Sequence, residues 1–307
     1  MDLGQIAQYC YNLTTSYLRI ENATSVSSET QDAIKLTRRC FLDDIFPTWS
    51  PLNSEISFSY NGGKDCQALL LLYLSCRWEF FLLTLEHSLY DPKYHAFPLK
   101  ELPTVFIDHE QTFSTLEEFV ATSSKRYCLS LYESGRDNER DTSMADAFKK
   151  YLEVHPEMKA FVIGIRHTDP YAANLKAIQR TDANWPDFVR LQPFLHWKLA
   201  NVWSFLIYSN EPICGLYGLG LTSIGSINNT LPNPHLKVNQ DDKPNLMFQW
   251  EIEHAFSDSK DASGEAVNVS TVNAADLKLL NQPQDRYLPG WYLTDDSLER
   301  AGRIKKE

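Results

Sequence analysis

Apolar residues recur at three- and four-residue spacing over Gln5–Ile20 and again over Ser28–Ile45, which predicts two amphipathic helices. Glu21-Asn22-Ala23-Thr24-Ser25 breaks them, and Pro47 and Pro51 mark a turn into an apolar run at Ile56–Tyr60 that reads as a strand. A long apolar helix follows over about 67–88. Its stretch Leu69–Leu85 contains Arg77 and Glu79 and is amphipathic rather than membrane-spanning in pattern. Leu102–Asp108 is a β-rich run ending in an acid, a helix is expected near Thr115–Ser130, and Ser134–Thr142 reads as a polar loop. Helix 143–153 leads to an apolar strand at Ala160–Ile165; Val189–Phe194 reads as a further strand, and His196–Asn210 as an amphipathic helix carrying Trp197 and Trp203.

Strands alternating with helices predict an α/β fold: a mostly parallel twisted sheet with helices on both faces. Ligands of such sheets bind at the carboxyl ends of strands, so the glycine turn after Tyr60, Asp108 and the 166–169 segment are expected to converge on one edge. The last quarter changes character. Pro232, Pro234 and Pro244 punctuate it, and Ser257–Ala275, rich in small polar residues, reads as a mobile insertion. Order is expected again at Tyr287–Leu293 and through Leu298–Arg303. This divides the chain into an α/β core over 1–235 and an extension over 236–307 that is not an independent domain. No internal repeat is evident.

Composition narrows the choice. The 307 residues suffice for one large domain or two small ones. A formal net charge of −11 argues against general nucleic-acid binding, while leaving room for an anionic ligand in a local basic pocket. The six cysteines form no CxxC pair, which disfavours zinc and dithiol redox sites. Met1-Asp2-Leu3-Gly4 does not read as a signal sequence, and a cytoplasmic protein with reduced thiols is expected.

The candidate chemistry lies in Ile56–Leu72, where the strand stops at Asn61-Gly62-Gly63-Lys64-Asp65 and a helix opens. A glycine turn feeding a helix aims backbone N–H groups and the positive end of the helix dipole at one point, which suits phosphate. It is neither a Walker A loop nor a dinucleotide fingerprint, and a glycine pair alone also occurs in ordinary strand–helix turns. The order strand, Ser59, Gly62-Gly63, Lys64-Asp65, helix resembles the PP-loop of the ATP pyrophosphatase superfamily. Gly220–Gly225, with its Ser223-Ile224-Gly225, and Leu191–Trp197 followed by Trp203 are similar to segments of the PAPS reductase branch. The chain has no cysteine after Cys214, where such a reductase needs one.

The whole set resembles the fungal FAD synthetases, the FMN adenylyltransferases of PAPS-reductase-like type. The resemblance spans nearly the full length, through Ser57–Asp65, Pro103–Asp108, Gly164–Pro170, Gln179–Phe188, Asn210–Tyr217, Asn228–Pro234 and Pro289-Gly290-Trp291-Tyr292 to Arg303. It implies transfer of AMP from ATP to the phosphate of FMN, giving FAD and pyrophosphate, with Mg²⁺ whose ligands the sequence leaves open. It also implies ATP and FMN as the partners, with no nucleic acid, membrane or obligatory protein partner. A phosphate oxygen is already anionic at neutral pH, so positioning and charge stabilisation suffice.

The resemblance further implies residue roles. Ser59, Tyr60, Asn61, Gly62, Gly63 and Lys64 are expected at the ATP phosphates, and Ile107 and Asp108 at adenosine. Gly164, Ile165 and Arg166 should lie beside the nucleotide, with Arg166 available for bidentate phosphate pairing. Asp65 is either a helix cap or a metal ligand. Asp169, Asp182, Trp185, Arg190, Gln192 and Pro193 are candidates for FMN, with Trp185 read equally as a flavin wall or as packing. Arg300 and Arg303, one turn apart, should fold back onto the FMN phosphate and flavin edge. Asn61, Lys64, Asp65, Arg166, Asp182 and Arg300 are the expected catalytic set. His167 and Cys66 read as structural, although a helix N-terminus lowers the pKa of a thiol. Rival readings are a PAPS-reductase-type oxidoreductase, an ATP-dependent adenylating ligase and an idle nucleotide-binding module.

Overall fold

A computed structural model describes residues 1–21, 23–86, 96–107, 111–134, 143–238, 267–280 and 285–304. Helices α1 (Leu3–Leu18) and α2 (Ser25–Arg39) precede strand β1 (Ile56–Ser59). Asp2 caps α1 through a reciprocal bond with Gln5, and Thr24 caps α2. Past Arg39 the helix widens over Cys40–Ile45, where the Phe46 N–H donates to the Phe41 carbonyl five residues back. Then come α3 (Lys64–Glu86), β2 (Leu102–Ile107), α4 (Ser114–Arg126), β3 (Leu129–Ser134), α5 (Met144–Val154) and β4 (Ala160–Val162). The described core closes with β5 (Ile178–Arg180), β6 (Val189–Leu191) and α6 (Leu199–Ser209).

The six strands lie in the order β3-β2-β1-β4-β6-β5, parallel except for β5. The chain steps outward from β1 to β3, then returns to place β4 on the other side of β1. The order of progression therefore reverses between β1 and β4, and the crevice outside their carboxyl ends is where such sheets hold ligands.

The strands' two-residue period sorts the core. Phe58, Phe106, Ala160, Val162 and Leu191 face a large core with α1, α2, α3, α4 and α6. Val105 and Phe161 face a smaller cluster built on Phe148 and Tyr151 of α5. Helix α3 is apolar and long enough to cross a membrane by length and composition. In this fold Leu69–Leu74 are fully buried, the pattern of a central helix with neighbours all round.

Two strands depart from the sequence expectation, and both are edges. The helix expected to run to Ser130 ends at Arg126, because Cys128 takes a left-handed φ of 52° that no helix continues through. Leu129–Ser134 then pairs along β2. Ile178–Arg180 turns back antiparallel onto β6. Edge strands are wet on one side and lack the apolar run that marked the central ones.

The C-terminal quarter also differs. Residues 257–266 of the expected mobile insertion lie outside the described residues, but 267–275 are packed. Val269 bridges Ile213, the Gly215 N–H donates to Ser270 Oγ at 2.9 Å, and helix α7 (Ala274–Leu280) follows. A Cβ on Gly215 would lie 2.2 Å from the Ser270 carbonyl oxygen, so this close seat requires glycine. Ser270, Asn268 and Asn273 bond backbone here through their side chains, at Gly215, Asn210 and Ala275. Strand β7 (Lys237–Val238) pairs antiparallel with β8 (Arg286–Tyr287), and the chain returns along 229–233. There the Leu231 N–H donates to the Gly302 carbonyl and the Ile304 N–H to the Asn229 carbonyl, both at 2.9 Å.

Candidate active site

Between β1 and α3 the chain makes the predicted glycine turn. Asn61 Oδ1 accepts the Gly63 N–H at 3.0 Å and the Cys66 thiol at 2.8 Å, which closes the turn on itself. Gly62 has φ 72°, and a Cβ there would stand 2.8 Å from Leu116 Cδ1 and 2.9 Å from Val120 Cγ2. Backbone conformation and packing against α4 therefore both select glycine. The Lys64 N–H, at the start of α3, donates to Tyr217 Oη at 2.8 Å. Gly164, just past β4, comes so close that a Cβ would lie 3.0 Å from Cys66 Cα. The loop after β4 thus meets the first turn of α3 at backbone level, at the topological switch.

Beneath this turn lies a buried ion cluster. Lys64 Nζ bonds Asp65 Oδ2 at 3.0 Å and also Glu299. The Arg166 guanidinium bonds Asp296 through Nη1 at 2.7 Å and Glu299 through Nη2, and its Nε makes ion-pair contact with Asp65 at 2.8 Å without hydrogen-bond geometry. Lys64 is 2 % exposed and Arg166 0 %. Burial works against both cations, but the carboxylates outweigh it and hold both pKa values above their ordinary ones. Burial would likewise raise Asp65, yet Arg166 and then Lys64 hold it below 3.8. Asp169, which accepts the Arg166 N–H at 2.9 Å, is pushed up by burial and by the neighbouring Asp65 charge.

This geometry corrects several expectations. Arg166 does not present a free fork to phosphate, because its nitrogens are committed to three carboxylates. Lys64 Nζ is likewise held by acids. The Asp65 carboxylate is an ion-pair partner of these two cations. Tyr60 turns its ring into the core, where its hydroxyl donates to Gln67 at 2.6 Å, so only its backbone borders the turn. Cys66 sits at a helix N-terminus, but burial outweighs that field and pushes its thiol up to about 12. His167 is exposed, with Nδ1 3.0 Å from the Ala172 carbonyl oxygen. Ser59 ends β1 half-buried, Ile165 lies half-buried after β4, and Ile107 ends β2; Asp108 lies outside the described residues.

The flavin candidates divide between two edges. Gln192 and Pro193 follow β6 at its carboxyl end, on the same edge as the glycine turn. Gln192 is 1 % exposed, and neither Oε1 nor Nε2 of its amide has a partner. Asp182 and Trp185 belong to the hairpin joining β5 to β6, which enters β6 at its amino end. Its reversal is held by the Thr181 N–H donating to the Phe188 carbonyl at 3.0 Å. Asp182 and Trp185 do not share an edge with Gln192 and Pro193, because β5 turns the chain back antiparallel onto β6. Arg190, inside β6, links the two groups and donates to Asp182 at 3.2 Å. Trp185 is half-buried with its ring 6.0 Å from that of Phe148, so it packs and still shows a face.

Arg300 and Arg303 do return to the core but diverge. Arg300 is exposed. The Arg303 guanidinium lies over Gly225, where a Cβ would come within 2.2 Å of it. It also lines a cavity of about 230 Å³ with Pro232 and Tyr287.

Sequence reading missed Tyr217, Asp296, Glu299 and the two residues that seat Glu299. Thr222 Oγ1 donates to the Glu299 carbonyl at 2.6 Å, and Asn233 Nδ2 to Thr222 Oγ1 at 2.8 Å and to the Leu298 carbonyl at 2.9 Å. A signal was available: Asp296 and Glu299 are one helical turn apart in the segment chosen only for its arginines.

A glycine turn at the switch point of a parallel sheet marks a nucleotide-handling α/β domain. Residues 55–232 match the phosphoadenosine phosphosulfate reductase domain. The flavin adenine dinucleotide synthase of Saccharomyces cerevisiae is 59 % identical over 308 residues, covering 99 % of this chain and 100 % of that protein. Two crystal structures of Candida glabrata FMN adenylyltransferase are similar. The complex with FAD and inorganic pyrophosphate has a TM-score of 0.89 at 55 % identity, covering 99 % of this chain and 100 % of that one. The complex with FMN and the ATP analogue AMPCPP has a TM-score of 0.87 at 54 % identity, covering 100 % and 99 %. The chain belongs to the phosphoadenosine phosphosulfate reductase domain family and, within it, to the FAD synthases.

Proposed function

We propose that this chain transfers AMP from ATP to the phosphate of FMN, forming FAD and releasing pyrophosphate. One observation carries the reading beyond kinship. At a single sheet edge, a phosphate-type turn stands beside a buried amide, Gln192, whose donor and acceptor are both unpaired. A buried polar group left unpaired costs about 1–3 kcal/mol, and a flavin edge offers the complementary donor and acceptor. Strand β6 is 3 residues long, about 10 Å at roughly 3.3 Å each. A tricyclic flavin lying along it extends from Gln192 toward Arg190 and the hairpin of Asp182 and Trp185, with Asp169 and Pro193 at the near end.

The FMN phosphate oxygen attacks the α-phosphorus, the bond to the β-phosphate oxygen breaks, and pyrophosphate leaves. No general base is needed. Asn61 shapes the turn, and the backbone of Tyr60 to Lys64 with Ser59 borders the departing phosphates. Lys64 and Arg166, their charges offset by Asp65, Asp296 and Glu299, hold the turn from beneath. Arg300, exposed at the end of the docked segment, is the cation offered to phosphate, while Arg303 lies over Gly225. Ile107, Gly164 and Ile165 border the nucleotide. A thiol held at about 12 supports no nucleophilic role for Cys66.

Mg²⁺ enters with ATP as part of the substrate. Asp65, Asp296 and Glu299 are already paired to cations and Asp169 to a backbone N–H, a donor set that favours a cation carried by phosphate oxygens and water. All six cysteines are free thiols, which supports a reducing, cytoplasmic setting.

The test is incubation with ATP, Mg²⁺ and FMN while following FAD and pyrophosphate. Equimolar appearance of both is expected. Reduction of PAPS, or pyrophosphate release only with another acceptor, overturns the reading.

A further inference from the structure

We infer that Glu299 is a positioning residue for adenylyl transfer: it ties the segment bearing Arg300 to the phosphate turn. The inference rests on the proposed reaction but concerns a residue which that reaction does not itself require.

Glu299 is 5 % exposed and is held from every side. Its two carboxylate oxygens go to different cations, one to Lys64 on the turn after β1 and the other to Arg166 on the loop after β4. Its carbonyl accepts Thr222 Oγ1, and Asn233, itself 0 % exposed, braces both Thr222 and the preceding Leu298 carbonyl. Asp296, on the same turn, adds a second grip. Its Oδ1 accepts from Arg166 at 2.7 Å, from the Leu199 N–H that opens α6 at 2.9 Å, and from Thr168 Oγ1 at 3.3 Å.

The cations cannot be reached by a ligand without displacing these acids, because Lys64 and Arg166 are almost fully buried. Phosphate is therefore met by what the cluster positions, and the next residue after the most tightly held acid is the exposed Arg300. Holding a charged group in place before the transition state removes the entropic cost of ordering it there. A bridge from Glu299 to the first turn of α3 and the loop after β4, which already touch at the switch point, fixes Arg300 relative to the phosphate turn.

The experiment compares Glu299→Gln, Arg300→Ala and the double variant in steady-state FAD synthesis, with KM for ATP and FMN measured separately. Glu299→Gln should lower kcat/KM for FMN at least tenfold while KM for ATP moves less than threefold. In the Arg300→Ala background the same change should cost less than twofold, because the group being positioned is gone. Glu299→Asp should restore part of the loss. Additive losses in the double variant, a loss confined to KM for ATP, or a tighter KM for ATP would each overturn the inference; the last would make Glu299 a competitor of phosphate. If Glu299→Gln does not fold, Thr222→Val leaves every charge in place and releases the Glu299 carbonyl together with one bond of Asn233, which keeps its bond to the Leu298 carbonyl. Its kcat/KM for FMN should fall at least threefold, and an unchanged value overturns the inference. A wild-type chain that makes no FAD defeats the underlying reading instead, so the two failures are distinguishable.

Discussion

The hydroxyl of Tyr217 accepts the backbone N–H of Lys64 at 2.8 Å, joining two positions 153 residues apart at the first turn of α3. The tyrosine is 2 % exposed, and its ring meets Trp203 edge-on at 5.2 Å. Tyr217→Phe keeps the packing and strands the N–H, which costs about 1–3 kcal/mol when buried. The turn should loosen with it, so KM for ATP should rise several-fold while KM for FMN holds. Urea unfolding and substrate titrations check both. An unchanged midpoint would mean that water replaces the hydroxyl.

Arg166 is the only described residue that pairs with Asp65, Asp296 and Glu299 together. Removing one member of a buried ion cluster leaves the others uncompensated, at about 3–5 kcal/mol. Arg166→Ala should lose stability of that order. Arg166→Lys should recover only part of it, since an ammonium lacks the planar fork that reaches three carboxylates at once. Chemical denaturation measures the pair, and equal midpoints for Lys and wild type would refute the account.

The strands and the turn that position the site were legible because their signals are local. Ile56–Ser59 and Ala160–Val162 are buried on both faces and read as apolar runs, and Gly62-Gly63 punctuates the first of them. The edge strands at Leu129–Ser134 and Ile178–Arg180 carry polar residues on their wet side and left no such run. Missing the second also hid that Asp182 and Trp185 enter from the opposite edge to Gln192. The ion cluster was illegible for another reason. Arg166 and Glu299 are 133 positions apart, and no spacing rule pairs them. The arginine suggested phosphate because its chemistry is the same whether its anion is a ligand or a distant glutamate.

Acid should unfold this protein partly through Asp65. Its folded pKa lies below 3.8, because Arg166 and Lys64 outweigh burial. A depressed carboxylate contributes stability that is fully present above its unfolded value and is lost as pH falls through the folded one. Unfolding free energy measured between pH 7 and pH 3 should therefore drop more steeply below about pH 4 in wild type than in Asp65→Asn. Parallel profiles would show that the acid loss comes from other carboxylates.

Helix α4 begins at Ser114 after Phe113, which offers no side-chain cap. The cap comes from α7 instead: Asp276 Oδ2 accepts both the N–H and the hydroxyl of Thr115 at 2.6 Å. The anion also faces the positive end of the helix dipole. Asp276 is 3 % exposed and Thr115 0 %, so water is a poor substitute. Asp276→Ala should cost about 1–2 kcal/mol, the usual loss of a helix cap, and Asp276→Asn less, because the amide oxygen still accepts. Asn273 bonds the same threonine hydroxyl through its N–H at 2.9 Å, so α7 should stay docked with a weakened grip. Leu116 and Val120 of α4 pack against Gly62, so this weakening should reach the phosphate turn and raise KM for ATP. Hydrogen exchange on the first turn of α4 separates this route from global destabilisation. Faster exchange confined to residues 114–117 is expected, and uniform acceleration across the sheet would count against it.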